Sequence, residues 1–369
     1  MGKICLIFNT PSLYRKLIYT RIDESFDCDW YYGDWDANVK GFDTSFLKHD
    51  VQFLHVNNPG KSFYSVNGIT KLLRDKRYDR YLMIGDAHDI STWRMLLLKN
   101  LFYRKKRIYF WTHGWYGKES RTERIIKKFF YKLVDGAFLY GNYAKQLMIK
   151  EGIKEKKLFV IHNSLDYDTQ LELRSQIRAS RLYEEHFKNT NKNIVFLGRL
   201  TKVKKLDMLL EVVSLLRQKG QFFNVSFVGD GVERQHLEDL TEQLGLKDTT
   251  WFYGECYDER TNAEFVYNAD LCVSPGNVGL TAMHMLMFGT PVITHDDFTM
   301  QMPEFEAIVP HKTGMFFKRD DVMSLCDTIQ EWFKLNGGLR DHIRKECFKE
   351  IDSNWNPDYQ IKVLKEHLC

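Results

Sequence analysis

The sequence predicts an α/β chain built as two doubly wound domains, each a parallel sheet covered by helices on both faces. Three observations carry this reading. Short apolar strand-like runs alternate with helical segments along the whole chain. At 369 residues the chain is too long for one ordinary core and suits two domains. In the second half, an apolar strand from Ala269 to Val273 breaks at Pro275-Gly276, and Gly279 opens a helical run that ends at Gly289-Thr-Pro291 before another short strand. That junction turns the N–H groups of a helix start toward whatever sits above the strand ends.

Taken in order, strands are predicted over Lys3 to Asn9, Arg80 to Ile84, Ile108 to Thr112, Gly136 to Tyr140 and Leu158 to Ile161. The polar stretch from Asp166 to Lys192 reads as a helical connection. A second set of strands follows at Asn193 to Gly198, Asn224 to Val228, Thr250 to Tyr253, Asp270 to Val273 and Pro291 to Thr294. Lys205 to Lys219 carries Leu206, Leu209, Leu210, Val213 and Leu216 on one face and stops at Gly220, and Val232 to Leu244 stops at Gly245. Proline at the first turn, in Asn356-Pro357, opens a last helix through Tyr359 to Leu368. The expected organisation is a first domain over 1–166, a connection over 167–192, a second domain over 193–352 and a terminal helix within 353–369, with a cleft between the domains.

Composition narrows the function classes. With 44% hydrophobic and 28% charged residues the chain reads as globular. No apolar run approaches the roughly 20 residues that span a bilayer, and Ile4 to Phe8 is too short for a signal-peptide core, so a cytoplasmic protein is expected. The cysteines at 5, 28, 256, 272, 326, 347 and 369 are odd in number and form no Cys-x-x-Cys, which points to neither a disulfide framework nor a zinc site.

The net charge of +4 hides an asymmetry. Residues 1–166 hold 29 Lys and Arg against 18 Asp and Glu, whereas the remainder holds 24 against 31. Much of the excess lies between Lys99 and Lys132, where Ile125, Ile126, Phe129, Phe130 and Leu133 recur at helical spacing among the cations. Such a helix suits peripheral attachment to an anionic membrane surface, and equally a core-packed helix with a solvated basic face. No nucleic-acid recognition motif accompanies the charge.

Chemistry concentrates after the strand at 193–198, in Gly198-Arg-Leu-Thr-Lys-Val-Lys204, and at the helix start Gly279-Leu-Thr281. Together the two segments look like a site for a sugar diphosphonucleotide, whose phosphates are favoured where cations and helix-start N–H donors converge. Arginine grips two oxygens at once and lysine supplies a movable point charge. Glycine at a helix start allows close approach to phosphate. The bland alternative for Arg199 and Lys204 is a pair of solvated cations, and for each glycine a simple turn.

These residues, with Val228-Gly-Asp-Gly231, Phe252-Tyr-Gly254, Ala269-Asp270 and Gly289-Thr-Pro-Val292, resemble the retaining glycosyltransferases of family 4, which have the GT-B fold of two facing Rossmann-like domains. In the first half the resemblance rests on Thr112-His-Gly114 and Ile161-His-Asn-Ser-Leu-Asp166, and Trp355 to Leu368 looks like the family's terminal helix that crosses back to the first domain. It implies donor-binding roles for Gly198, Arg199, Lys204, Gly229, Tyr253, Gly254, Asn277, Gly279, Leu280, Thr281 and His284, with Arg199 and Lys204 catalytic through the leaving diphosphate. His113 is implied near the reaction centre, as a catalytic or acceptor-binding group, and Asp86 and His88 are further acceptor candidates; His113 also reads as a packing histidine in a Trp111/Trp115 patch. The pattern departs from the family at one point. Two glutamates eight positions apart are usual there, and Gly276 and His284 stand in their places.

Asp27-Cys-Asp29 and Asp34-Trp-Asp36 imitate an Asp-x-Asp metal motif but lie outside its fold context, so no metal and no cofactor beyond the nucleoside diphosphate sugar is expected. The expected activity is transfer of a hexosyl group from a UDP-sugar, in preference to a GDP-sugar, to a glycan or lipid-linked acceptor in cell-surface polysaccharide assembly. A nucleotide-sugar epimerase and a non-catalytic nucleotide-sugar-binding subunit are the rival readings, the latter prompted by Gly276 and His284.

Overall fold

Ile4, Leu6 and Phe8 face one way along the first strand and Cys5 and Ile7 the other, and each set meets its own helical layer. In the computed structural model, which describes residues 2–34, 41 and 43–368, this strand sits inside a unit made of Met1–Asp166 with Asn356–Cys369; a second unit comprises Tyr167–Trp355.

The first unit contains β1 (Lys3–Phe8), β2 (Cys28–Gly33), β3 (Val51–Leu54), a small antiparallel pair β4 (Val56–Asn57) and β5 (Ser65–Val66), then β6 (Tyr78–Ile84), β7 (Arg107–Thr112), β8 (Gly136–Leu139) and β9 (Leu158–Val160). Its main sheet runs β3-β2-β1-β6-β7-β8-β9, every neighbouring pair parallel. Helix Lys16–Ser25 and the last helix, Pro357–Leu368, cover one face through Ile18, Tyr19, Ile22, Ile361 and Leu364. Met95, Leu96, Phe130, Tyr131 and Met148, from helices Ile90–Phe102, Arg121–Leu133 and Asn142–Lys150, cover the other. The last helix is tied in by polar contacts as well: Arg80 donates to the Leu368 carbonyl at 2.8 Å, Ser164 to Gln360 at 2.7 Å, and Gln360 to the His162 carbonyl at 3.0 Å.

In the second unit, β10 (Lys192–Leu197), β11 (Phe223–Val228), β12 (Thr250–Gly254), β13 (Leu271–Ser274), β14 (Val292–His295) and β15 (Gly314–Phe317) form one parallel sheet ordered β12-β11-β10-β13-β14-β15. Helix Leu206–Gln218 buries Leu206, Leu209, Leu210, Val213 and Leu216, the stripe its spacing predicts. Residues 167–192 fold into helices Tyr167–Gln176 and Leu182–Phe187 within this unit, and the Tyr183 hydroxyl donates to the Phe265 carbonyl at 2.8 Å.

Both sheets are of the predicted doubly wound kind, and the structure adds five strands to the expected set: β2, β3 and β15 in the two sheets, and the small pair β4 and β5. β2 is buried along its whole length although it contains Asp29. That carboxylate is answered by Lys3, by the Tyr78 hydroxyl at 2.5 Å and by Arg77 at 3.2 Å, which lets a charge sit in a strand interior.

The basic helix divides its apolar residues. A capping box between Ser120 and Glu123 starts it, Phe130 packs into the core, and Ile125, Ile126 and Phe129 remain exposed.

Candidate functional site

In each sheet the strand order reverses beside the first strand, between β1 and β6 in one unit and between β10 and β13 in the other. The loops leaving the C-terminal ends of such strand pairs separate and form a crevice. All of the predicted site residues except His113, Gly229, Tyr253 and Gly254 lie on these four loops or on the helix that follows one of them; those four lie at neighbouring strand ends.

In the second unit, the loop 198–205 after β10 and the loop 275–279 after β13 are locked backbone to backbone. The Gly276 N–H donates to the Lys204 carbonyl at 2.9 Å. A Cβ on Gly276 would fall 1.9 Å from the Val203 carbonyl oxygen and 2.7 Å from the Lys204 Cα. No glutamate fits there in this arrangement, which explains the departure at that position: the space a side chain would occupy holds the lysine loop. The same fitting runs further round the rim. A Cβ on Gly229 would meet the Gly198 oxygen at 2.0 Å and one on Gly231 the Leu200 oxygen at 2.3 Å. The Gly229 N–H is itself committed to the Gly254 carbonyl at 2.7 Å, and that of Gly198 to the Val228 carbonyl at 2.9 Å. These glycines therefore fit the loops to one another.

Lys204 is held in place by this packing. Its ammonium donates to the Asn277 carbonyl at 2.7 Å and to Asn277 Oδ1 at 3.0 Å. Burial, and then the charge of Arg199, push its pKa below the ordinary lysine value, so an anion arriving here would meet a cation that its surroundings have left short of negative charge. Arg199 is exposed, with no carboxylate in ion-pair contact among the described residues. Helix Leu280–Met287 starts at Gly279; its first bond runs from Ala282 N to the Gly279 carbonyl, leaving the N–H groups of Gly279, Leu280 and Thr281 at the open end. The Thr281 hydroxyl is tied to the Leu197 carbonyl at 3.2 Å, fixing the helix start over the end of β10.

His284 lies one turn further along, with Nε2 2.9 Å from Glu259 Oε1, an ion pair without the alignment of a good hydrogen bond. Glu259, at the start of helix Glu259–Asn268, also accepts from Gln170 at 2.8 Å, and the nearby His284 ring together with Gln170 offsets its burial to hold its pKa below the usual carboxylate range. A carboxylate thus stands beside the position where the family pattern has one, supplied by another helix. Sequence reasoning missed Glu259; its only local signal is a helix-start Asp258-Glu259 pair following β12. Tyr253 is partly exposed at the end of β12, its ring 4.7 Å from Phe265, and Gly254 takes φ +100° beside it.

In the first unit, His113 follows β7 and precedes Gly114, whose φ of +72° and close contact with Met148 and Leu139 require glycine. The ring neighbours of His113 are Tyr140 at 4.7 Å and Tyr116 at 5.8 Å, in place of the expected tryptophans. Its Nδ1 is buried without a hydrogen-bond partner. Burial, then the charges of Arg15 and Lys127, lower its pKa to about 4, so the ring is neutral at physiological pH. Asp86 and His88 lie together after β6: Asp86 accepts from the His88 N–H at 2.9 Å, pairs with His88 Nδ1 at 3.0 Å, and accepts from the Tyr64 hydroxyl at 3.0 Å. Two cavities of ≈ 380 Å³ each open at this edge and share Asn9, Ile84, Asp86 and His88; His113 lines one of them.

Of the acidic pairs of the early chain, Asp29 and Asp34 are engaged within the fold. Asp29 is consumed as described, and Asp34 accepts from His55 and from Val56 N, both at 2.8 Å. Trp35 and Asp36 lie outside the described residues, as does Cys369. Asp23, Cys28 and His49 bring three potential ligand atoms within 4.8 Å. The Asp23 carboxylate is already engaged, by Trp30 Nε1 at 2.8 Å, Lys48 N at 2.6 Å and His49 at 3.0 Å, which makes it a structural anchor.

Comparison with known proteins relates the chain to one family and fixes its fold. Residues 181–349 match the family described as Glycosyl transferases group 1. An uncharacterized 41.2 kDa protein in the cps region of Klebsiella pneumoniae is 27% identical over 315 residues, 83% of this chain and 75% of that one. Among solved structures, Anabaena Alr3699/HepE in complex with UDP superposes with a TM-score of 0.70 at 15% identity, and the lipopolysaccharide outer core galactosyltransferase WaaB, in its apo form, with 0.71 at 14%; each match covers 99% of both chains. The fold is GT-B.

Proposed function

We propose that this chain, related to the group 1 glycosyl transferases and sharing the GT-B fold, is a retaining glycosyltransferase that moves a sugar from a UDP-sugar to a glycan or lipid-linked acceptor in cell-surface polysaccharide assembly. One observation carries the reading: two loops at the strand-order reversal of the second sheet bring a half-buried Lys204, an exposed Arg199 and the open N-terminus of helix Leu280–Met287 to one rim. Anionic charge is favoured where cations and helix-start N–H groups converge, and most where the cation is desolvated before the ligand arrives. The diphosphate would lie across this rim, with the ribose side toward His284 and Glu259 and the base toward Tyr253 and Gly254.

UDP is favoured over other nucleotides because HepE binds UDP and UDP-glucose, and the polysaccharide setting because relatives carry cps-region and lipopolysaccharide names. Arg199 and Lys204 would take the leaving-group charge without a metal ion. His113, Asp86 and His88 would meet the acceptor in the first unit. An acceptor at an anionic membrane surface agrees with the exposed Leu97, Leu101 and Phe102, at the end of helix Ile90–Phe102, and with Ile125, Ile126 and Phe129 among the cations of the next helix. No helix among the described residues is long and apolar enough to cross a membrane.

Thermal unfolding with UDP, GDP, ADP and CMP tests the donor site. Ligand at about 100 times its dissociation constant should add roughly 2.7 kcal/mol, several degrees in a domain of this size. A shift with UDP that both Arg199→Ala and Lys204→Ala abolish is expected; no shift with any nucleotide would sink the transferase reading.

A further inference from the structure

Helix Lys16–Ser25 begins at the strand-order reversal of the first sheet, and the residue before it, Arg15, is a buried cation that no carboxylate answers among the described residues. Arg15 is 8% exposed. Its guanidinium lies 5.6 Å from the Tyr14 ring, 5.5 Å from Trp111 and 5.4 Å from Tyr140, and Nη1 reaches the Tyr19 hydroxyl at 3.5 Å. All of these neighbours are uncharged, and no ion pair to Arg15 occurs among the described residues. Desolvating an arginine without an opposite charge is costly, and aromatic faces recover only part of the loss.

The guanidinium lines one of the two cavities at the C-terminal edge of the sheet, together with Ser12, Trp111, His113, Tyr116 and Tyr140. Aromatic walls around a polar floor suit a sugar ring, whose C–H faces pack on them. The remaining charges at this edge are already committed. Lys127 pairs with Glu119 at 2.8 Å and donates to the Gly114 carbonyl at 3.3 Å, while Asp86 is taken by His88 and Tyr64. Asp86 lines the same cavity, while Arg15 and Lys127 both push the pKa of His113 down.

We propose that this cavity binds an oxyanion carried on a sugar ring, a phosphate or a carboxylate held by the fork of Arg15 at the start of helix Lys16–Ser25, and that the acceptor of this protein is therefore an acidic glycan or glycosyl phosphate. The proposal rests on the transferase reading only in calling the ligand an acceptor; the site itself stands without it. Guanidinium and oxyanion match in a two-bond fork.

The test is calorimetric titration of the full chain with methyl glucoside, glucose 1-phosphate and methyl glucuronide. At least one anionic probe should bind roughly tenfold or more tightly than the neutral sugar, and Arg15→Gln should erase that preference while leaving the UDP-induced unfolding shift intact. Arg15→Lys, which keeps the charge and loses the fork, should retain part of it. Preference for the phosphate would identify a glycosyl phosphate, and preference for the carboxylate a uronic acid. Should Arg15→Gln fail to fold, the His113 ring resonances of the wild type decide: an anion beside Arg15 must raise the pKa of His113, whereas the neutral sugar must not. Equal binding of the three probes, including no binding by any, overturns the proposal. Loss of the UDP shift in the wild type would instead remove the donor-site reading and leave this one standing.

Discussion

Restoring the family's missing carboxylate by Gly276→Glu should disable the protein, because the obstacle is the first atom of any side chain. A Cβ at 276 would sit 1.9 Å from the Val203 carbonyl oxygen, whereas carbon–oxygen contacts of this kind settle at about 3.3–3.6 Å, so the loops must part by roughly 1.5 Å. Overpacking costs about 1–3 kcal/mol where side chains can shift; here both obstacles are backbone, which puts the change at about 3 kcal/mol or above. At about 2–4 °C per kcal/mol for a domain of this size, the unfolding midpoint should drop by about 6–12 °C. Parting the loops also draws Lys204 away from the Asn277 carbonyl that positions it, so the UDP-induced shift should vanish in the same variant. Gly276→Ala separates sterics from chemistry: it lacks the carboxylate yet carries the same Cβ, and must lose nearly as much. Scanning calorimetry of the three proteins with and without UDP reads both effects. A Gly276→Glu protein with the wild-type midpoint, or with a larger UDP shift, would refute the reasoning outright.

Other expectations concern separate parts of the molecule. His284→Glu should be destabilised by about 1–2 kcal/mol at pH 8 and less at pH 5, because the new carboxylate faces Glu259 and the pair can relax only by taking up a proton; adding Glu259→Gln should restore chemical stability, measured in urea. His113 and His162 both have pKa values lowered to about 4 by burial, so the unfolded chain takes up their protons first as pH falls. Their contribution is intact above about pH 6.5 and is lost on the way down to about pH 4, by up to about 3 kcal/mol each; urea midpoints across that window should fall less steeply for His113→Gln, and parallel slopes would count against it. The full chain should float with phosphatidylglycerol vesicles and sediment with phosphatidylcholine ones, and Phe102→Glu with Phe129→Glu should release it; equal behaviour with both lipids would remove the membrane reading.

Much of this was legible in the chain. Alternating apolar runs located ten strands because their residues make the same local choice that the sheet requires, and the loops after β10 and β13 were readable because glycine at a strand end followed by a helix has few other uses. What was not legible depends on distant partners. Cys28–Gly33 mixes an acid with three aromatics, and only Lys3, Arg77 and Tyr78 make Asp29 tolerable inside it. Nothing in the sequence marks Arg15, whose burial depends on the distant rings of Trp111 and Tyr140. Glu259 gains its meaning from His284, twenty-five positions later. The apolar stripe of the basic helix was visible as a pattern, yet the pattern could not say that Phe130 turns inward while Phe129 stays out.

The discontinuity of the first unit bears on how the chain comes off the ribosome. Met1–Asp166 emerges early, but the helix that covers Ile18, Tyr19 and Ile22 belongs to the last residues, separated from them by the whole of Tyr167–Trp355. At translation speeds of about 5–20 residues per second, those roughly 190 intervening residues take about 10–40 s to synthesise. Throughout that interval an apolar strip of a nearly finished sheet domain stands uncovered in the cell, a binding target for chaperones and a liability for aggregation that a chain with contiguous domains would not carry.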